Sequence, residues 1–298
     1  MTLERDLLAL LRCPRSGASL QLDDGGLSVA GEPATARYPL AEGIPVLLAQ
    51  LPEREAIIDH LRTRSATYYR DNYVGAGNVE RQRRQKIVLA LLRGSIAPGA
   101  SVLEAGAGPA ALGSEILALT ERYVASDMSL DNLLEGRRRL GPIDAVVGDL
   151  AALPFAPASF DVVVAVGCLE YVRELPVAIG ELVRVAAPGA TIIATFANAA
   201  SPRRWWDERV AVPALRLRHR RRAAPEYPRW VQRVDAIEHA FRARGAHVAA
   251  VDFYGPALLG FPLAQSDRLQ RADEALSARI ASLRARRSEF VVRAVVPR

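Results

Sequence analysis

The chain is poor in the residues that build cross-links and metal sites: among 298 residues there are two cysteines, four histidines and a single lysine, Lys86. Cys13 and Cys168 stand far apart in sequence, which excludes a disulfide framework and a cysteine metal cluster. His60, His219, His239 and His247 have no second ligand at metal-binding spacing, so no metal is expected. No apolar run reaches the roughly 18 residues of a membrane-spanning helix. The segment MTLERDLLALLRCP carries acids in a short amphipathic pattern and lacks the cationic start and cleavage site of a secretion signal. The expected location is the cytoplasm.

Half of the chain is hydrophobic, enough for one large α/β domain plus a small appendage. The net charge is +6 and the pI about 9.7. Nearly all the positive charge is arginine, alongside abundant alanine, glycine and proline, which matches the bias of a GC-rich genome. An acidic partner such as RNA is the alternative explanation.

Residues 1–50 read as a small β-rich module. A short helix at about Leu3–Leu11 precedes Cys13-Pro14, and the segments LSVAG and ARYPLAEGIPVLL follow with turn signals at Gly25-Gly26, Gly31, Pro33 and Gly43. Residues 51–100 carry apolar residues at helical spacing around the tyrosine-rich ATYYRDNYVGAGN. From Ser101 onward, short β-branched strands alternate with helices: SVLEA, YVASD, DAVVG, FDVVVAV, ATIIATFA, AHVAAVDF and EFVVRAVV. Their almost continuous apolar character predicts parallel strands buried on both faces of a doubly wound sheet. Two insertions, at 198–230 and 254–287, leave the sheet after the fifth and sixth strands. Ligands of such sheets bind outside the carboxyl ends of the strands, so the insertions are candidate substrate lids or long surface helices. Trp205, Trp206, Tyr227 and Trp230 would line an acceptor or pack onto the domain, and the arginines between 203 and 222 would meet anions or solvent.

The strongest site signal is SVLEAGAGPAALG at 101–113. A strand ends at Glu104, glycines at 106 and 108 make a tight turn, and a helix is expected from about Ala110, with unpaired N–H groups facing a ligand. Asp127 closes the next strand about twenty residues later, where a carboxylate can take both hydroxyls of a ribose. Ser129 is the better helix cap and leaves Asp127 for a ligand. In GDLAALPF, Asp149 and Leu150 could bind the edge and cover the face of an adenine. In SFDVVVAVGCLEYV, a small-residue turn at Gly167 precedes Glu170 and Tyr171, beside the reactive end of such a ligand.

These motifs resemble those of class I S-adenosylmethionine-dependent methyltransferases, over roughly residues 65–197 and more loosely 231–298. LEAGAG is similar to the family's first motif, with Glu104 in place of aspartate and Ala110 where a third glycine is common. The resemblance implies a Rossmann-like, mostly parallel seven-stranded sheet with an antiparallel last strand. It implies S-adenosylmethionine as cofactor: Glu104, Ala105, Gly106 and Gly108 beside the methionine part, and Asp127 on the ribose. Met128, Asp149 and Leu150 would surround the adenine, Gly167 would lie near the methyl group, and Tyr69 would close the pocket. Tyr171 stands where many members carry histidine. A nicotinamide fingerprint would need a third glycine that GAGPAA lacks.

The segments LLRCP and YPLAEGIPVLL resemble a small zinc-ribbon-like domain found fused to bacterial methyltransferases. Of its two cysteine pairs only Cys13 remains; Ser16, Gly31 and Ala34 fall at the other positions. Tetrahedral zinc needs four ligands, so the module is expected to hold together without zinc, through Leu20, Leu22, Leu27, Val29, Ile44, Val46 and Leu47.

A sulfonium methyl group is already electrophilic, so the protein need mainly align a nucleophile and exclude water; no catalytic constellation is required. Tyr171, Glu170 and His60 are the catalytic candidates, with a first-turn helix acid as the structural alternative for Glu170. The expected activity is methyl transfer to a small molecule by a monomer or homodimer. The alternatives are methylation of rRNA or tRNA, and a non-catalytic methyltransferase-like binding partner.

Overall fold

A computed structural model describes residues 5–24, 26–29, 37–49, 79–211, 213, 230–258 and 266–298. Its centre is a sheet whose strands are β5 (Val102–Ala105), β6 (Tyr123–Asp127), β7 (Asp144–Val147), β8 (Phe160–Ala165), β9 (Ala186–Asn198), β11 (His247–Tyr254) and β12 (Glu289–Val295). Their order is β11-β12-β9-β8-β5-β6-β7, and the two-residue β10 (Val231–Gln232) pairs with the end of β9. Only β12 runs antiparallel, inserted between β9 and β11. The doubly wound sheet with an antiparallel last strand is therefore present.

The physical cause lies in the strands themselves. VLEA of β5 is buried at all four positions and VVVA of β8 likewise, as strands covered by helices on both faces must be. The helices are α2 (Val79–Arg93), α3 (Gly113–Leu117), α4 (Leu130–Leu140), α5 (Leu175–Val185) and α7 (Val234–Arg242), with α6 (Pro202–Trp206), α8 (Asp267–Arg279) and α9 (Ala281–Arg284) in the insertions. Leu175, Ala178, Ile179, Leu182 and Val185 of α5 form its buried stripe at helical spacing. Ser129 caps α4, its hydroxyl accepting from Asn132 N at 3.3 Å.

Three expectations are corrected. The helix after the glycine turn starts at Gly113 rather than near Ala110, because Ala110 is left-handed at φ 52°; a helix cannot begin through such a residue. The segment after Asp149 is a turn, closed by Ala152 N donating to Asp149 O at 2.9 Å. Leu22 is 39% exposed, although Leu20, two residues earlier on the same side of β1, is buried.

The N-terminal module consists of α1 (Arg5–Leu10), the hairpin β1 (Leu20–Asp23)–β2 (Gly26–Val29) and the short pair β3 (Leu40–Ala41)–β4 (Ile44–Pro45). It does not stand apart. Val46 bridges Val147 in parallel, and Leu47 N donates to Val147 O at 2.8 Å, so the module covers the β7 edge of the sheet. Arg12 N donates to Pro154 O at 2.9 Å, and Ala156 N to Leu10 O at 2.8 Å. Leu7, Leu11, Leu27 and Leu47 share one apolar core with Val146, Phe155 and Phe160. Cys13 Sγ lies 3.2 Å from Tyr38 Oη inside the module. Among the described residues no group of acids, histidines and cysteines is placed to hold a metal. Because the core is shared, Leu11→Ala is expected to cost about 2–4 kcal/mol. Chemical denaturation should show this as one transition shifted to lower denaturant, without a separate module transition.

Candidate functional site

The site lies at the carboxyl ends of β5, β6, β7 and β8, where the chain must turn out of the sheet four times. After β5 it turns through Gly106 at φ 70° and Gly108 at φ 54°. Gly106 is held by contact as well as by conformation. A Cβ there would lie 2.5 Å from Cys168 Cβ and 2.6 Å from its Sγ. Leu150 Cδ1 would be 3.5 Å away, so the turns after β7 and β8 flank the glycine turn.

Asp127 fastens this turn to β6. Its Oδ2 accepts from Gly108 N at 2.7 Å and its Oδ1 from Ser129 N at 2.9 Å. Oδ1 also accepts from Asn132 Nδ2 at 3.5 Å, and Oδ2 keeps a second acceptor position. Burial raises the Asp127 pKa, against the lowering effect of these amide donors. Met128 and Leu150 are half-buried beside it, while Asp149 is 7% exposed and accepts from Ala151 N at 2.9 Å. The loop that follows Asp149 is braced by residues the sequence did not reveal. Arg184 donates to Leu153 O and Phe155 O at 2.8 and 2.7 Å, and Glu181 accepts from Leu153 N at 2.8 Å. Arg139 likewise donates to the carbonyls of Pro109 and Ala110.

Glu104 is placed differently from its neighbours. It is 4% exposed and accepts from Tyr123 Oη at 2.5 Å, beneath the glycine turn. Burial pushes its pKa up to about 7, while Tyr123, the Leu112 amide and Arg139 pull it down. Such an acid holds a proton in the fold that the unfolded chain, with its ordinary value of 4.5, has released. Stability must then fall as pH rises between these two values, by at most about 3 kcal/mol. Glu104→Gln is expected to flatten this part of the profile, measured as the difference in urea-unfolding stability between about pH 5 and pH 7.5.

The remaining candidates divide. Gly167, at φ 71°, donates its N–H to Thr195 Oγ1 at 2.8 Å. Glu170 and Tyr171 lie in a single 3-10 turn, Leu169–Tyr171, ahead of α5; Glu170 is 8% exposed and Tyr171 37%. Burial is also the main cause of the raised Cys168 pKa. His60 and Tyr69 lie outside the described residues. His239 and His247 sit on α7 and β11, away from these turns.

Four turns of this kind on this strand order define the fold of Rossmann-like methyltransferases. Residues 103–194 match the family model described as a methyltransferase domain. A demethylmenaquinone methyltransferase from Renibacterium salmoninarum is 38% identical over 96 residues, covering 32% of this chain and 40% of that protein. A malonyl-[acyl-carrier protein] O-methyltransferase from Erwinia billingiae is 31% identical over 103 residues, 35% of this chain and 41% of that protein. The chain thus spans less than half the length of these relatives. Two solved structures share the fold. A chain of the complex between the Haloferax volcanii Trm112 methyltransferase activator and a methyltransferase superposes with TM-score 0.53 at 19% identity, covering 84% of this chain and 100% of that one. Magnesium protoporphyrin IX methyltransferase from Synechocystis, solved with S-adenosylhomocysteine, gives 0.53 at 18%, covering 82% and 99%.

Proposed function

We propose that the chain binds S-adenosylmethionine across the carboxyl ends of β5–β8 and transfers its methyl group to a small-molecule acceptor. The observation that carries this reading is Asp127. Its two oxygens are oriented by the Gly108 and Ser129 amides and by Asn132 Nδ2, at the end of the second strand of the parallel series, with acceptor capacity left on Oδ2 for a ribose hydroxyl. In this reading the Ala105–Gly108 turn passes the methionine part, where bare glycine backbone permits close approach. Met128 and Leu150 cover the adenine and Asp149 takes its amino group. Glu104 supports the turn from below through Tyr123.

The transfer breaks the sulfonium S–CH3 bond as the acceptor's lone pair forms the new bond in line with it, leaving a neutral thioether. The protein's part is alignment and exclusion of water. Glu170 and Tyr171, next to the Gly167 turn, are the residues proposed to face the acceptor. The demethylmenaquinone methyltransferases among the relatives favour a small-molecule acceptor. Isothermal titration of S-adenosylhomocysteine into the purified protein is expected to give micromolar binding. Absence of heat with a protein shown to be folded would overturn the reading.

A further inference from the structure

The loop between β7 and β8, residues 148–159, carries Asp149 yet contains no helix or strand of its own. Its shape is imposed from outside. From Ala151 to Ala156 every backbone N–H has a partner, Pro154 having none to give, as buried polar groups require. Two side chains of α5 supply the middle of this set. Glu181 Oε2 accepts from Leu153 N at 2.8 Å, while Arg184 donates to Leu153 O at 2.8 Å and to Phe155 O at 2.7 Å. The two are also joined to each other: Arg184 Nε donates to Glu181 Oε1 and its Nη2 to Oε2, each at 2.7 Å. The N-terminal module holds the neighbouring positions, through Arg12 N on Pro154 O and Leu10 O on Ala156 N.

This bracket reaches Asp149 through one contact. A Cβ on Gly148 would lie 2.8 Å from Pro154 Cδ and 3.0 Å from its Cγ, so the far end of the loop rests on the residue directly before Asp149. Asp149 in turn folds the start of the loop, its Oδ1 accepting from Ala151 N and its carbonyl from Ala152 N, both at 2.9 Å. A shift of Leu153 or Phe155 therefore moves Pro154, and with it Gly148 and the carboxylate. An exposed Glu–Arg pair one turn apart on a helix contributes little by itself. Here both members are half-buried and both extend beyond the pair to a single loop. That arrangement costs side-chain freedom, and what it gains is a loop held in one place.

We propose that Glu181 and Arg184 are positioning residues of the donor site: by fixing Leu153 and Phe155 they set the pose of Asp149, and thereby the preference of the site for adenine over a purine without the exocyclic amino group. This rests on the donor reading above, in which Asp149 takes that amino group. Hypoxanthine carries a carbonyl oxygen there, which would face the carboxylate acceptor to acceptor. A site built around a hydrogen bond rejects the partner that cannot make it. The rejection holds only while the carboxylate is kept in place, because a loop free to shift gives way to the wrong base. Neither residue is assigned a contact with the donor; both act through Asp149.

The test titrates S-adenosylhomocysteine and S-inosylhomocysteine, its hypoxanthine counterpart, into the full chain. The parent is expected to bind the inosyl compound at least about tenfold more weakly. Arg184→Met should weaken S-adenosylhomocysteine about tenfold and leave the inosyl compound nearly unchanged, so that the preference collapses. Glu181→Gln should act in the same direction, and Arg184→Lys should restore part of the preference. In an Asp149→Ala background, Arg184→Met should change neither affinity further, because its effect passes through that carboxylate. Thermal melts establish that each variant is folded; should Arg184→Met fail to fold, Glu181→Gln and Arg184→Lys carry the same comparison. Unchanged binding in the variants, or equal weakening of both compounds with the preference kept, would mark the pair as a support of the fold alone and overturn the proposal. So would a parent that binds the two compounds alike. Failure of S-adenosylhomocysteine itself to bind would instead remove the donor reading underneath.

Discussion

Asp127→Ala is expected to weaken S-adenosylhomocysteine binding at least about a hundredfold while leaving the fold intact. A hydrogen bond to a charged group contributes about 1.5–3 kcal/mol, and the ribose would lose its bond together with the order of the turn. The substitution also releases the Gly108 and Ser129 amides that the carboxylate orients at 2.7 and 2.9 Å. Asp127→Asn separates the two effects. An amide has one acceptor oxygen and one donor nitrogen, so it cannot accept from both backbone N–H groups. It should therefore recover only part of the affinity. Titration calorimetry reads both variants, with circular dichroism melts as the control for folding. Parent-like affinity in Asp127→Ala would remove this residue from the donor site.

The second large effect is expected at Gly106. Gly106→Ala places a Cβ 2.5 Å from Cys168 Cβ at a residue whose φ is 70°. Overpacking costs about 1–3 kcal/mol and the left-handed conformation about 1–2 kcal/mol for a residue with a side chain. Together they predict roughly 2–5 kcal/mol of destabilisation with loss of donor binding, because the turn after β8 is pushed away from the turn after β5. Cys168→Gly in the same chain removes both clashing atoms but leaves the conformational cost. The double variant should recover more than half of the lost stability and part of the binding, measured by denaturant unfolding and calorimetry. Independent, additive costs in the double variant would contradict contact between these two turns.

How much of this was legible in the chain differs by element. Continuous apolar strands such as FDVVVAV can be buried only on both faces, so the doubly wound sheet follows from composition and spacing alone. The glycine turn, Asp127 and Asp149 were legible for a related reason: each directly follows a strand, so period and chain order place them at one edge. Ser129 announced itself as a cap by its place before an amphipathic run.

Other parts could not be read this way. Ala110 gives no sequence sign of its left-handed backbone; that conformation comes from the contacts around the turn, including Arg139 on its carbonyl. Glu104 reads as a ligand-facing acid, but its side chain accepts from Tyr123, which only the pairing of β5 with β6 brings near.

The sequence by itself determined the layered α/β architecture, the carboxyl edge of its strands, and the acids that lie along that edge. These depend on periodicity and on residues a few positions apart. Only the tertiary structure decided that the N-terminal module seals the β7 edge, that Cys168 meets Gly106, and that Arg84 reaches Glu289. Those meetings join residues from about sixty to more than two hundred positions apart, and no local propensity encodes them. They exist because burying both faces of one twisted sheet forces its carboxyl-end turns and insertions onto a common surface.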